Sequence, residues 1–128
     1  MQNYDVRTTP SFESSIRKLS HKYRSIRQDM EEGINTIEKF PASAVAIPGY
    51  AHCLWKKRVR NRDARTGKRS GYRIIYFWQP NTEEVYLLVA YSKIKKKDLT
   101  KQELNNLLSQ LEDHLQSFDK KGKAKEEG

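Results

Sequence analysis

The segment from Tyr72 to Ser92 constrains the fold more than any other part of the chain. Tyr72 to Gln79 is rich in β-branched and aromatic residues, a composition typical of a strand. Pro80-Asn81-Thr82 follows as a turn signal, and Glu84 to Ser92 has the alternation of another strand. The pattern predicts a β-hairpin over 72–92, and the hairpin predicts an antiparallel sheet.

Two amphipathic helices are predicted before this hairpin. Thr9 is a favourable capping residue, and Pro10 suits the first helical position. Apolar residues then recur three or four positions apart, as Phe12, Ile16, Leu19 and Tyr23 in the first helix and as Ile26, Met30, Ile34 and Ile37 in the second. Because Phe40-Pro41 ends the pattern, we expect a helical hairpin. Gly33 weakens the second helix somewhat.

Short segments complete the predicted order of elements. Tyr4 to Thr8 and Leu54 to Asn61 are expected to be strands, and 42–52 is expected to be a loop. Thr100 and Glu103 form a capping box that predicts a final helix. The resulting order is β-α-α-β-β-β-α, an α+β fold in which an antiparallel sheet packs against helices. We expect one domain over 1–118 and a disordered charged tail over 119–128.

Several function classes are disfavoured by the sequence. Residues 1–9 lack the apolar core of a signal peptide, and the apolar stretches are too short for a membrane helix. The chain has one cysteine, Cys53, which suits the reducing cytoplasm. His21, His52 and His114 are scattered, and no Cys/His spacing resembles a zinc site. We therefore expect a cytoplasmic protein that binds no membrane, metal or other cofactor.

Positive charge is concentrated in one segment of the chain. The formal net charge is +9, and residues 56–73 alone contain nine basic residues and one acid. A localised basic block predicts a polyanionic partner, and nucleic acid is the first candidate. We expect RNA contacts from Arg60, Arg62, Lys68 and Arg69 of this block, and from Lys95 in the later lysine run.

Strand alternation predicts which of these cations converge. Lys56 and Arg58 share one face of their strand, and Arg73 lies opposite the aromatic face of the next. On the last strand, the alternation groups Val85, Leu87, Val89, Tyr91 and Lys93. One surface could therefore collect Lys56, Arg58, Arg73, Tyr91 and Lys93. We expect Tyr72, Tyr76 and Trp78 to be core residues more often than base-stacking ones.

The chemistry open to such a surface is restricted. Arg and Lys bind phosphate and stabilise the extra negative charge of a phosphorane. A Tyr or Lys with a lowered pKa could take a proton from a ribose 2′-hydroxyl, which only RNA offers. On the residues alone, RNA binding without catalysis is favoured over cleavage.

Three pieces of the sequence, spanning about residues 4–115, resemble the RelE/ParE superfamily of toxins from type II toxin–antitoxin systems. The first is Thr9-Pro10-Ser11-Phe12 with Ile16-Arg17-Lys18-Leu19. The second is Lys56-Lys57-Arg58-Val59-Arg60, followed by Gly67-Lys68-Arg69-Ser70-Gly71-Tyr72-Arg73-Ile74-Ile75-Tyr76. The third is Val85-Tyr86-Leu87-Leu88-Val89-Ala90-Tyr91-Ser92-Lys93 with Lys97-Asp98-Leu99-Thr100. The second and third are fairly specific and are closer to the RelE and HigB2-like branches than to ParE.

The resemblance implies a microbial-RNase-type fold and metal-independent cleavage of mRNA on the ribosome by 2′-hydroxyl attack, inhibiting translation. It assigns proton transfer and phosphate binding to Lys56 and Arg58, and transition-state stabilisation to Arg73. Lys93 matches a basic element that follows the last strand. Some RelE toxins have a tyrosine where this chain has Thr100, so the phenol is assigned to Tyr91. The implied partners are an antitoxin, mRNA and the ribosome.

Two other functions remain open from the sequence. One is a ParE-like inhibitor of DNA gyrase, which binds its target without nuclease chemistry. The other is a non-catalytic RNA-binding protein. The paired basic residues and Arg73 favour the endoribonuclease, because gyrase binding does not require a converging phosphate site.

Overall fold

The computed structural model describes residues 3–63 and 71–127, the side chains of 118–127 excepted. Within these residues the chain forms five strands and three helices. Their bounds are β1 Asp5–Thr8, α1 Pro10–Ser20, α2 Ile26–Lys39, β2 Val45–Ala46, β3 Leu54–Val59, β4 Tyr72–Phe77, β5 Glu84–Ser92 and α3 Lys101–Glu127. The chain divides into two compact units, one ending at Asp98 and the other beginning at Leu99. The α+β class and the predicted hairpin over 72–92 are confirmed.

The sheet of the first unit has the strand order β1-β5-β4-β3-β2. Strands β2 to β5 pair antiparallel, but β1 pairs parallel to β5, with Val6 opposite Val85. The prediction of an antiparallel sheet is therefore wrong at this edge, because alternation identifies a strand but not the direction of its partner. Strand β2 also corrects the predicted loop over 42–52, since Val45 pairs with Lys56.

One face of the sheet packs against α1 and α2 around a single core cluster. Its buried members are Phe12, Tyr23, Ile26, Met30 and Ile37 from the helical side, and Trp55, Val59, Tyr72, Ile74, Tyr76, Trp78, Val85, Leu87 and Ala90 from the sheet side. Tyr72 and Tyr76 have no exposed surface and Trp78 is buried, which confirms them as core residues.

A β-bulge interrupts the pairing of β4 with β5. Ile75 lies opposite Val89 and Tyr76 opposite Leu87, so that Leu88 is the extra residue of β5. The bulge turns Val85 and Leu87 toward the helices, whereas Tyr91 stays opposite Arg73. The predicted grouping of Val85, Leu87, Val89 and Tyr91 on one face is therefore wrong, because an inserted residue reverses the alternation.

Helix α1 begins where Thr9 and Pro10 predict. The Thr9 hydroxyl accepts from the Phe12 amide at 3.3 Å and donates to the Leu87 carbonyl at 2.7 Å, which ties the start of α1 to β5. In α2, Gly33 lies against β3, and a Cβ there would stand 2.7 Å from Val59 Cγ2. The glycine that weakens the helix thus permits close packing of helix and sheet.

The second unit consists mainly of α3. Thr100 and Glu103 form the predicted capping box, each accepting the other's backbone N–H, at 3.0 and 3.1 Å. The backbone is helical as far as Glu127, through most of the segment for which the sequence predicts disorder. That disorder and the single domain over 1–118 stay predictions. Across the described residues, no helix is long and apolar enough to span a bilayer.

Candidate active site on the sheet face opposite the helices

Three of the predicted site residues stand side by side on neighbouring strands. Arg58 of β3 lies directly opposite Arg73 of β4, and Arg73 lies directly opposite Tyr91 of β5. Residues directly opposite each other are about 5 Å apart at Cα and project from the same face. We call these three residues the cross-strand row. It lies on the face opposite α1 and α2, because the intervening residues Val59, Tyr72 and Ile74 belong to the core.

Arg73 is the most buried cation of the row, with 3% of its surface exposed. Its Nη1 donates to the Tyr72 carbonyl at 3.1 Å. Burial lowers the pKa of Arg73, and the neighbouring charge of Arg58 lowers it further. An arginine remains protonated despite such a shift. The guanidinium of Arg73 is therefore charged, and an anion bound next to it would offset the unfavourable effects of burial and of Arg58.

Two lysines flank the row and share one carboxylate. Lys56 Nζ lies 3.1 Å from Asp98 Oδ1, and Lys93 Nζ lies 3.5 Å from the same atom. The hydrogen bond from Lys56 is the main cause that lowers the pKa of Asp98, and the charge of Lys93 adds to it. We call this arrangement the Asp98 bridge. Lys93 Nζ also donates to the Lys97 carbonyl.

Gly71 brings the ends of the strands together beside this bridge. A Cβ on Gly71 would meet the Val59 carbonyl oxygen at 2.2 Å, so a side chain there would force β3 and β4 apart. The Lys93 amide donates to the Gly71 carbonyl at 2.9 Å. This hydrogen bond fixes the position of the Lys93 backbone relative to Gly71. In the sequence, the only signal for this role is the glycine of the Gly71-Tyr72-Arg73 element.

Arg62, one of the predicted RNA contacts, pairs with acidic side chains of α2. Its Nη1 donates to Asp29 Oδ1 at 2.7 Å, its backbone N–H donates to Asp29 Oδ2 at 3.0 Å, and Nη2 pairs with Glu32. Ser25 Oγ also donates to Asp29, at 2.8 Å. The guanidinium thus joins the end of β3 to α2. A contact between Arg62 and RNA stays a prediction.

The structure says less about the remaining predicted RNA contacts. Arg60 and Lys95 are exposed, and Lys68 and Arg69 lie outside the described residues. A cleft of about 290 Å³ between α2 and β3 is lined partly by Lys57, Arg58 and Arg60. Within residues 3–63 and 71–127, no three His, Cys, Asp or Glu side chains are grouped as metal ligands would be.

Sequence reasoning missed the acidic partners altogether. Each acid contacts a cation that is distant in sequence: Asp98 is 42 residues from Lys56, and Asp29 is 33 residues from Arg62. Their partners could be found only from the tertiary structure. The four cations Lys56, Arg58, Arg73 and Lys93 outnumber Asp98, and these five residues leave a formal net charge of +3.

The sequence matches no protein-family model and no curated relative. Its fold, however, matches solved structures. A chain of the RelBE2 toxin–antitoxin complex from Mycobacterium tuberculosis superposes with a TM-score of 0.53 and 18% identity, over 70% of this chain and 98% of that chain. A mutant of the E. coli toxin RelE in the free state gives a TM-score of 0.50 and 11% identity, over 76% of this chain and 90% of that one.

The chain has the RelE toxin fold. At these identities the likeness concerns the fold alone.

Proposed function

We propose that this chain is the toxin of a type II toxin–antitoxin system, of the RelE/HigB2-like branch, and that it cleaves mRNA on the ribosome. The observation that carries the proposal is the cross-strand row with the Asp98 bridge beside it, on a RelE fold. A converging set of phosphate-binding cations is what cleavage requires, and a surface used only for protein binding does not need it.

The reaction proposed is transphosphorylation within the RNA. The ribose 2′-oxygen attacks the adjacent phosphorus and loses its proton, and the bond from phosphorus to the 5′-oxygen of the next nucleotide breaks. That 5′-oxygen gains a proton, leaving a 2′,3′-cyclic phosphate and a 5′-hydroxyl. No metal takes part in this scheme. Negative charge accumulates on the phosphoryl oxygens, where fixed donors stabilise the transition state more than the substrate.

The side chains supply the parts of this chemistry as follows. Arg58 and Arg73 face the same strip of the sheet and offer guanidinium donors to the phosphoryl oxygens. Since Arg73 is buried and therefore held in place, it is suited to transition-state stabilisation. Lys56 and Tyr91 flank the arginines and are the groups we assign to proton transfer. Lys93 supplies a further phosphate contact.

A protein partner follows from the same charge. The RelBE2 neighbour is a toxin–antitoxin complex, and we propose that a cognate antitoxin lays an acidic or amphipathic segment across the basic face. Both proteins would act in the cytoplasm, where mRNA and ribosomes are found. Co-expression of this chain with the product of an adjoining gene should relieve toxicity and yield a stable complex.

Mapping mRNA 5′ ends in cells that express the chain tests the proposal directly. The variants are Arg73→Gln, which keeps much of the buried volume, and Arg58→Ala, which truncates an exposed side chain. Arg24→Ala is the matched control, because Arg24 is an exposed arginine in the connection between α1 and α2. We expect cuts inside translated reading frames with the wild type and Arg24→Ala, and their loss in both site variants.

Other results would point elsewhere. Growth arrest with intact mRNA and damaged DNA would contradict the nuclease and favour a gyrase inhibitor. Expression without arrest, together with RNA binding in vitro, would favour a non-catalytic RNA-binding protein. Cleavage that persists in Arg58→Ala and Arg73→Gln would contradict the site assigned here while leaving the nuclease activity in place.

A further inference from the structure

The Asp98 carboxylate lies between two of the cations of the candidate site. One oxygen, Oδ1, contacts both Lys56 and Lys93, at 3.1 and 3.5 Å. These lysines come from β3 and from the residue just after β5, so Asp98 joins the two sides of the cationic surface. A phosphoryl oxygen accepts hydrogen bonds from ammonium groups in the same way as a carboxylate oxygen.

The bridge is also easily broken. The Asp98 side chain is 58% exposed, and both lysine side chains are partly exposed. Ion pairs in such surroundings are weak, because water and salt compete with each partner. Asp98 lies in the short connection between β5 and α3, outside any regular element, so its withdrawal breaks no strand or helix hydrogen bond. A stronger or multivalent anion can therefore displace it.

We propose that Asp98 is an internal counter-ion that competes with substrate phosphate for Lys56 and Lys93, and so limits RNA binding at this site. The inference rests on the proposed function and concerns its regulation. While Asp98 holds the lysines, two of the four cations are neutralised in part. When a correctly placed phosphate displaces the carboxylate, all four cations face the RNA. Polyanions that bind weakly therefore do not displace Asp98, whereas an RNA strand held in register does.

Equilibrium binding to a single-stranded RNA oligonucleotide with 2′-O-methyl riboses tests this inference. That probe has no free 2′-hydroxyl, so binding is measured without cleavage. The variants are Asp98→Asn, which removes the charge but little volume, and Glu83→Gln, which makes the same change in charge elsewhere. Glu83 is exposed and precedes β5. The strand places it roughly 30 Å from Lys93, about three screening lengths at ~0.1 M salt.

We expect Asp98→Asn to bind the probe about three- to tenfold more tightly at ~0.1 M salt, since two weak ion pairs no longer compete. The plot of log affinity against log salt should steepen by about 0.7 to 1.4, as one or two further phosphates are neutralised. Glu83→Gln should change affinity by less than about twofold. When Lys56 and Lys93 are both changed to Gln, Asp98→Asn should have no more effect than Glu83→Gln.

Each alternative result overturns the inference in a recognisable way. If Asp98→Asn and Glu83→Gln behave alike, only general charge matters and the proposed function is untouched. If Asp98→Asn binds less tightly, Asp98 positions the lysines for RNA and does not compete with it. If neither the wild type nor Asp98→Asn binds the probe at any salt concentration, Asp98 does not limit RNA binding and this inference fails, whereas the mapping of mRNA 5′ ends still decides the proposed cleavage.

Discussion

Replacing Asp29 with alanine should destabilise the first unit substantially. Asp29 is completely buried, and its carboxylate accepts hydrogen bonds from Ser25 Oγ at 2.8 Å and from the backbone N–H of Arg62 at 3.0 Å. Hydrogen bonds to a charged group contribute about 1.5 to 3 kcal/mol each, so two at the lower value amount to about 3 kcal/mol. We add nothing for the Arg62 guanidinium, because it keeps Glu32 as a partner.

Urea unfolding, followed by circular dichroism, measures this loss as a fall in the free energy of unfolding at constant m value. Glu32→Ala is the matched control. Glu32 contacts the same guanidinium, but its side chain is 56% exposed. We expect the control to change stability by less than about 0.5 kcal/mol. A loss of under about 1 kcal/mol for Asp29→Ala, or equal losses for both variants, would refute the reasoning that a buried acid anchors the end of β3 to α2.

Three further predictions concern other contacts. Gly33→Ala should destabilise the chain by about 1 kcal/mol, because crowding against Val59 exceeds the gain in helix propensity, and it should stabilise a Val59→Ala background; urea unfolding of the four variants tests both signs. Tyr76→Phe should cost about 1 to 2 kcal/mol in the same assay, since the buried hydroxyl donates to the Pro41 carbonyl. The lysines lower the pKa of Asp98, so the stability that Asp98 adds is present at neutral pH and is lost as the pH falls below about 4; the difference in urea midpoint between wild type and Asp98→Asn should vanish there.

The sequence predicted the cations of the candidate site but not the acidic residues that pair with them. Alternation along β3 and β4 put Arg58 and Arg73 on the face opposite the aromatic core, and the register confirms that arrangement. The role of every residue in the row stays a prediction. In the sequence, Asp98 is notable only as part of Lys97-Asp98-Leu99-Thr100, although it contacts two of the predicted residues.

The bulge in β5 shows why alternation alone is insufficient. A single extra residue at Leu88 changes which side chains face the helices, and a run of apolar residues contains no sign of it. Tyr91 still lies opposite Arg73. Both residues are on the side of the bulge where Ser92 pairs with Tyr72, so the extra residue does not affect their pairing. The correct prediction for Tyr91 thus came with an incorrect one for Val85 and Leu87.

Local patterns were sufficient for most of the elements, with β2 as the exception. Three features depend on residues within a few positions of one another: the Thr9 cap, the capping box at Thr100 and the hairpin turn at Pro80. Such local interactions can be predicted from sequence. The concentration of positive charge in 56–73 likewise needed only counting.

Only the tertiary structure could decide the parallel addition of β1 to β5, the burial of Asp29 beneath Arg62 and the sharing of Asp98 by two lysines. Each of these brings together at least one pair of residues that are tens of positions apart, such as Lys56 and Asp98. Their formation depends on the entropy of closing long loops and on packing against a common core. Neither quantity is a property of any local stretch of sequence, because both depend on the arrangement of the whole unit.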